Sequence, residues 1–134
     1  MTGFPLKIVT PDGVCFDGVA EELIVRTTTG DIGILAGHIN CVAPLGMGQA
    51  TVISDGQRRY AACIGGMVSV VNGNVTLVPT TFEWADEIDV ARAKASEQRA
   101  QTVISDKQST DTEIRLAEAR LKRALVRKDV AQRK

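Results

Sequence analysis

The chain has 134 residues with 16 basic and 16 acidic side chains, a formal net charge of zero. Only five residues are Phe, Trp or Tyr, so a core must be built mostly of Val, Ile and Leu, and the length suits one ordinary domain or a small domain with an appendage. No stretch approaches the roughly 18 apolar residues of a membrane span, and no basic-then-apolar leader is visible; a soluble, unsecreted protein is expected, with the cytosol as default.

The composition is not uniform along the chain. All twelve glycines and all four prolines fall before Thr80. These are the two residues that most resist regular helix, so the chain reads as two architectures joined near residue 84. Residues 1–84 hold 4 basic and 7 acidic side chains, whereas residues 85–134 hold 12 and 9. From Arg115 onward the count is 8 basic against 2 acidic. Such a face suits an acidic partner, a phosphate-bearing ligand or nucleic acid; the plainer alternative is a solvated helix face. Cys15, Cys41 and Cys63 are odd in number, widely spaced and set among apolar residues, which predicts reduced, buried thiols acting as small hydrophobes.

In chain order, Leu6 and Ile8 followed by Pro11-Asp12-Gly13 give a strand and a turn. Glu22-Leu23-Ile24-Val25-Arg26-Thr27 is a β-branched run closed by Gly30. Ala50-Thr51-Val52-Ile53 leads to Asp55-Gly56 and then to Arg58-Arg59-Tyr60-Ala61-Ala62, a hairpin signal. Met67-Val68-Ser69-Val70-Val71, Asn72-Gly73 and Asn74-Val75-Thr76-Leu77-Val78 make the clearest hairpin. Short strands at such spacing predict an antiparallel sandwich or barrel, and the absence of βαβ alternation speaks against a Rossmann-type site.

The rest predicts two helices. Asp86 is placed as cap of the first, with Glu87 and Asp89 in its first turn near the positive end of the dipole. Thr110-Asp111-Thr112-Glu113 matches a capping box for the second. The polar link Asp106-Lys107-Gln108-Ser109 is short enough for an antiparallel helix hairpin. Ile114, Ala117, Leu121, Ala124 and Leu125 form the expected contact stripe on the second helix, facing Ala91, Ala95 and Thr102 on the first. So thin a stripe stabilises modestly, at about 0.8 kcal/mol per buried methylene, which suits a hairpin that opens and closes.

No enzyme site emerges. His38 is the only histidine and pairs with no recognisable nucleophile, no metal-ligand spacing is present, and the glycine-rich segments lack the lysine of a phosphate loop. The arginines are the better lead. Arg92 and Arg99 are seven apart, Arg123 and Arg127 four apart, so each pair shares a helix face. A folded hairpin would gather four guanidinium groups, whose forks match phosphate oxygens bidentately. Their mutual repulsion makes closure favoured by an anion.

One stretch, Gly30-Asp31-Ile32-Gly33-Ile34-Leu35-Ala36-Gly37-His38, resembles the Gly-Glu-Ile-Gly-Ile-Leu-Pro-Gly-His segment of the epsilon subunit of bacterial F-type ATP synthase, with Ala36 where proline is usual. Gly65-Gly66-Met67-Val68, Val75-Thr76-Leu77-Val78 and Glu87-Ile88-Asp89 match further segments, and the resemblance runs end to end. It implies an N-terminal antiparallel β-sandwich of about ten strands over residues 1–84 and a C-terminal antiparallel two-helix hairpin over residues 85–134. It also implies a non-catalytic rotor subunit, coupling proton or sodium transport to ATP synthesis. Its partners would be the gamma subunit, the c-ring and the alpha/beta catalytic head. Neither nucleic acid nor direct membrane insertion is expected, and the location would be peripheral, at the cytoplasmic face of the bacterial cell membrane. The Gly30-to-Asn40 loop, with Asp31 and His38, is the expected ring-facing end. The helices, extended toward the acidic segment of the head, would inhibit ATP hydrolysis.

Ile88-Asp89-Val90-Ala91-Arg92-Ala93 further resembles the Ile/Leu-Asp-x-x-Arg-Ala pattern of family members whose epsilon subunit binds ATP. By that resemblance ATP is a regulatory ligand, not a substrate. Arg92, Arg99, Arg123 and Arg127 would contact phosphate, Asp89 would orient an arginine or a helix terminus, and Glu83, Ile88 and Ala93 would border base and sugar. Four arginines offset phosphate charge, so magnesium is not expected to be required. The other readings are a rotor subunit without useful ATP affinity, in which Asp89 and Arg92 form only a helix-start ion pair, a stand-alone nucleotide-binding module, and an enzyme on a β-sandwich.

Overall fold

The computed structural model describes residues 2–133. Ten strands come first: β1 (Phe4–Thr10), β2 (Gly13–Ala20), β3 (Glu22–Thr27), β4 (Gly30–Leu35), β5 (Cys41–Pro44), β6 (Met47–Ser54), β7 (Gln57–Ile64), β8 (Met67–Val71), β9 (Asn74–Val78) and β10 (Thr81–Trp84). They form two five-stranded sheets, ordered β2-β1-β9-β8-β5 and β10-β7-β6-β3-β4. Neighbours run antiparallel except β1 and β9, which pair in parallel through Leu6↔Val75 to Ile8↔Leu77.

Alternation along the strands buries one face of each sheet against the other. Leu6 and Ile8 of β1, Leu23 and Val25 of β3, Ile34 of β4, Val52 of β6, Val68 of β8 and Leu77 of β9 are fully buried in this layer. The core is thus aliphatic, as the composition requires. The two hairpins legible in the sequence are present: β6–β7 turns at Asp55-Gly56 and β8–β9 at Asn72-Gly73, with φ of 52° and 72°, and 49° and 82°. Left-handed backbone at both central residues is the geometry that matches strand twist in two-residue hairpins.

Several sequence readings need correction, two of them in the sandwich. The segment Gly30-to-Asn40 is not a loop throughout, because Gly30–Leu35 is strand β4, paired with β3 from Thr27↔Gly30 to Glu22↔Leu35. Its two glycines mask the alternation, yet Ile34 is fully buried. The thiols differ as well. Cys63 is buried, and desolvation pushes its thiol up to about 12, whereas Cys15 and Cys41 are only half-buried.

After β10 comes one 3-10 turn, Ala85–Glu87, followed by α1 (Val90–Ser105) and α2 (Asp111–Ala131). The cap of α1 is Asp89, not Asp86: Asp89 Oδ1 accepts from the backbone N–H of Arg92 at 3.0 Å. Asp86 and Glu87 lie in the 3-10 turn. The cause is Ile88, which is buried and holds extended backbone (φ −73°, ψ 128°), so helix cannot run through it. The capping box on α2 is formed: Glu113 N–H donates to Thr110 Oγ1 at 3.1 Å, and Thr110 N–H to Glu113 Oε1 at 3.0 Å. These bonds hold the Glu113 carboxyl below its ordinary range, so the cap is intact at neutral pH and is lost as acid protonates it.

The helix contact also differs in phase from the expected one. On α1 the buried residues are Ala93 and Ala100; Ala91, Ala95 and Thr102 are exposed. On α2 Ala117 and Ala124 are buried as expected, Ile114 and Leu121 are half-buried, and Leu125 is exposed. Alanines dominate the buried positions on both helices, so backbones approach closely. The hairpin then folds onto the sandwich: Ile88, Ala85, Val130 and Ala131 pack with Ala62 in a second apolar cluster, flanked by Tyr60, Val90 and Val126.

Candidate functional site

The seam between sandwich and hairpin encloses a cleft of ≈ 910 Å³, within the range of roughly 300–1,000 Å³ typical of ligand sites. Its helical wall carries Arg92 and Arg99 from α1 and Arg120, Arg123 and Arg127 from α2. The seven-residue and four-residue spacings account for this, since each set lies on one helix face. Asp12, Thr81 and Glu83 from the sandwich, with Glu87 and Asp89 from the linker, complete it.

The guanidinium groups are not left to repel one another unopposed. Arg127 Nε donates to Glu83 Oε1 at 2.6 Å, joining α2 to β10. The next residue, Lys128, pairs with Glu97 of α1 at 2.6 Å. These side chains are about a sixth to a third exposed, so each pair contributes on the order of 1 kcal/mol. Asp89 caps α1 through the Arg92 backbone and forms no ion pair with the Arg92 side chain.

Of the residues named from sequence, Glu83, Asp89, Arg92, Ala93, Arg99, Arg123 and Arg127 line this cleft together. Ile88 does not; it points into the apolar cluster under the seam. Asp31 and His38 lie elsewhere on the sandwich. Asp31 is on β4 and takes a two-pronged bond from Arg26, Nε–Oδ1 at 2.6 Å and Nη2–Oδ2 at 3.3 Å, which lowers its pKa. His38 is half-buried beyond β4, with Nδ1 2.8 Å from the Ile39 carbonyl oxygen. Sequence reading missed Arg120, although its spacing of three from Arg123 was a usable signal. It also missed Asp12 and Thr81, which no local pattern connects to the helices.

The fold is a β-sandwich with a helical hairpin folded back on it and an arginine-lined cleft at the join. The comparisons with known proteins are specific. Residues 3–85 match the family model described as "ATP synthase, Delta/Epsilon chain, beta-sandwich domain", and residues 86–132 the "long alpha-helix domain" of the same chain. The chain is 44% identical to the ATP synthase epsilon chain of Ruminococcus albus over 135 residues, covering all of both chains. It is 48% identical to that of Bacillus subtilis, covering 94% of this chain and 95% of the relative. A chain in the cryo-EM structure of Euglena gracilis mitochondrial ATP synthase shares the fold, with TM-score 0.80, 21% identity and coverage of 91% and 77%. The chain belongs to the ATP synthase epsilon chain family, non-catalytic subunits of that complex. No described helix is long and apolar enough to cross a membrane.

Proposed function

We propose that the chain is a central-stalk rotor subunit of an F-type ATP synthase, coupling proton or sodium transport to ATP synthesis, whose hairpin senses ATP. In this reading the sandwich binds the gamma subunit and sits on the c-ring, with Asp31 and His38 toward the ring. The protein is then peripheral, at the cytoplasmic face of the bacterial membrane. The hairpin, when extended, reaches the alpha/beta head and inhibits ATP hydrolysis. The observation that carries the ATP assignment is the convergence of five arginines from two helices in one cleft. Anions bind where guanidinium forks converge, and a triphosphate would tie both helices together in the closed form. Because guanidinium groups neutralise the phosphates, magnesium is not needed.

Calorimetric titration of ATP into the protein, in the presence of a chelator, tests the reading. Binding heat is expected at millimolar ligand or below, and Arg92→Ala is expected to weaken it by roughly tenfold or more, the scale of a charged hydrogen bond. Absence of heat for the wild type would sink the ATP assignment and leave the rotor reading standing. That second reading, a rotor subunit without useful ATP affinity, has its own support: Asp89 already serves as a helix cap and Arg127 already pairs with Glu83.

A further inference from the structure

The two helices meet along a stripe of buried alanines spaced seven apart: Ala93 and Ala100 on α1, Ala117, Ala124 and Ala131 on α2. At about 100° per residue, the flanking positions divide between the two sides of that stripe. On the cleft side stand Arg92, Ser96 and Arg99, with Arg120, Arg123 and Arg127 across from them. The far side carries a second row with the same seven-residue period, Val90, Glu97 and Ile104 on α1 and Ile114, Leu121 and Lys128 on α2, all half-buried. Four of these six positions are apolar, as a seam between helices requires. The other two are charged and face each other: Lys128 Nζ donates to Glu97 Oε2 at 2.6 Å, with side chains 28% and 17% exposed. Seven residues on along α1 and seven back along α2, antiparallel counting sets Ile104 opposite Leu121. Neither Glu97 nor Lys128 lines the cleft.

Among the described residues, two side-chain bonds tie the body of α2 to another element, Arg127 to Glu83 and Lys128 to Glu97. The first lies in the cleft, where an anion competes for the guanidinium; the second does not. A partly desolvated ion pair often holds a contact less firmly than an apolar pair of the same volume, because both ions regain hydration when the contact opens. Removing one partner is worse still, since the other stays half-buried without a counter-charge. We propose that Glu97 and Lys128 form the release point of the hairpin: a charged pair set into an apolar seam, which holds the closed form shut without a ligand and keeps it able to open. The proposal concerns the chain's own opening equilibrium and stands independently of nucleotide binding.

Amide hydrogen exchange of the full chain without ligand tests it, read on α1 and α2 with β1 and β9 as the reference for an intact sandwich. Glu97→Gln and Lys128→Gln are each expected to speed exchange in the helices about 3- to 10-fold, the scale for a broken pair that water still reaches. Glu97→Met combined with Lys128→Met is expected to slow it roughly threefold or more below the wild-type rate. Glu97→Gln combined with Lys128→Gln is expected to exchange no faster than the faster single variant, because the second change removes a charge already left alone. Single variants that exchange at the wild-type rate would overturn the proposal. So would a Met pair that exchanges as fast as the wild type or faster while the strands stay protected. Strictly additive effects of the two Gln changes would do the same, and they decide the matter where the Met pair unsettles the strands.

Discussion

Asp89 lines the arginine cleft and also shapes it through the backbone. Its carboxylate takes the Arg92 backbone N–H and so fixes where α1 begins, and with it the direction in which Arg92 and Arg99 project. Asp89→Ala should cost about 1 kcal/mol of stability, the usual loss for an N-cap. Asp89→Asn keeps the cap and should leave the thermal midpoint and ATP affinity nearly unchanged. If Asn retains the midpoint but loses ATP binding in calorimetry, the carboxylate's charge acts on the ligand or on an arginine directly. The capping box at Thr110 and Glu113 was legible in the sequence because its partners are three residues apart. The cap of α1 was misread because Ile88 must be known to be buried before Asp86 can be rejected. Asp12 and Thr81 were beyond reach for the same reason: they meet the helical arginines only once the hairpin has folded back on the sandwich.

At the scale of elements, the hairpin is held by small residues and a few polar contacts. Ala93 and Ala100 face Ala117 and Ala124, so the helices gain proximity but little buried apolar area. Alanine also hides the phase of a helix, since an alanine stripe on either side looks equally plausible in sequence; hence the misplaced face on α1. Ala124→Leu would overfill the contact at a cost of about 1–3 kcal/mol. Hydrogen exchange should then show faster exchange throughout α1 and α2, with β6 and β7 unaffected. Equal loss of protection in the strands would mean that hairpin and sandwich open as one unit. The strands were better served by sequence: Asp55-Gly56 and Asn72-Gly73 each demand left-handed backbone and so declare their turns. β4 was obscured by the glycines within it, and the parallel β1–β9 pairing has no local signature.

For the molecule as a whole, the division of charge follows the division of fold. The acidic excess lies in the sandwich and the basic excess in the helices, most densely from Arg115 onward. Folded, α2 spends part of that charge on Glu83 and Glu97. Extended, it would present all of it to an acidic surface. Truncation after Trp84 should therefore raise ATP hydrolysis by an assembled synthase carrying this subunit. An unchanged steady-state rate would rule out an inhibitory tail.

The end of α2 returns to the place where the helices begin, because Val130 and Ala131 pack with Ala85 and Ile88. The chain's single tryptophan, Trp84, stands beside that point, with the Arg59 guanidinium 3.7 Å from its ring centre and Phe82 edge-on at 4.9 Å. If both helices straightened into one rod, residues 90–131 would carry that end some 60 Å away, at 1.5 Å per residue. The protein thus contains a built-in optical ruler, with its donor fixed at the pivot. An acceptor dye near residue 131 would report hairpin posture by energy transfer, without adding a second probe to the sandwich.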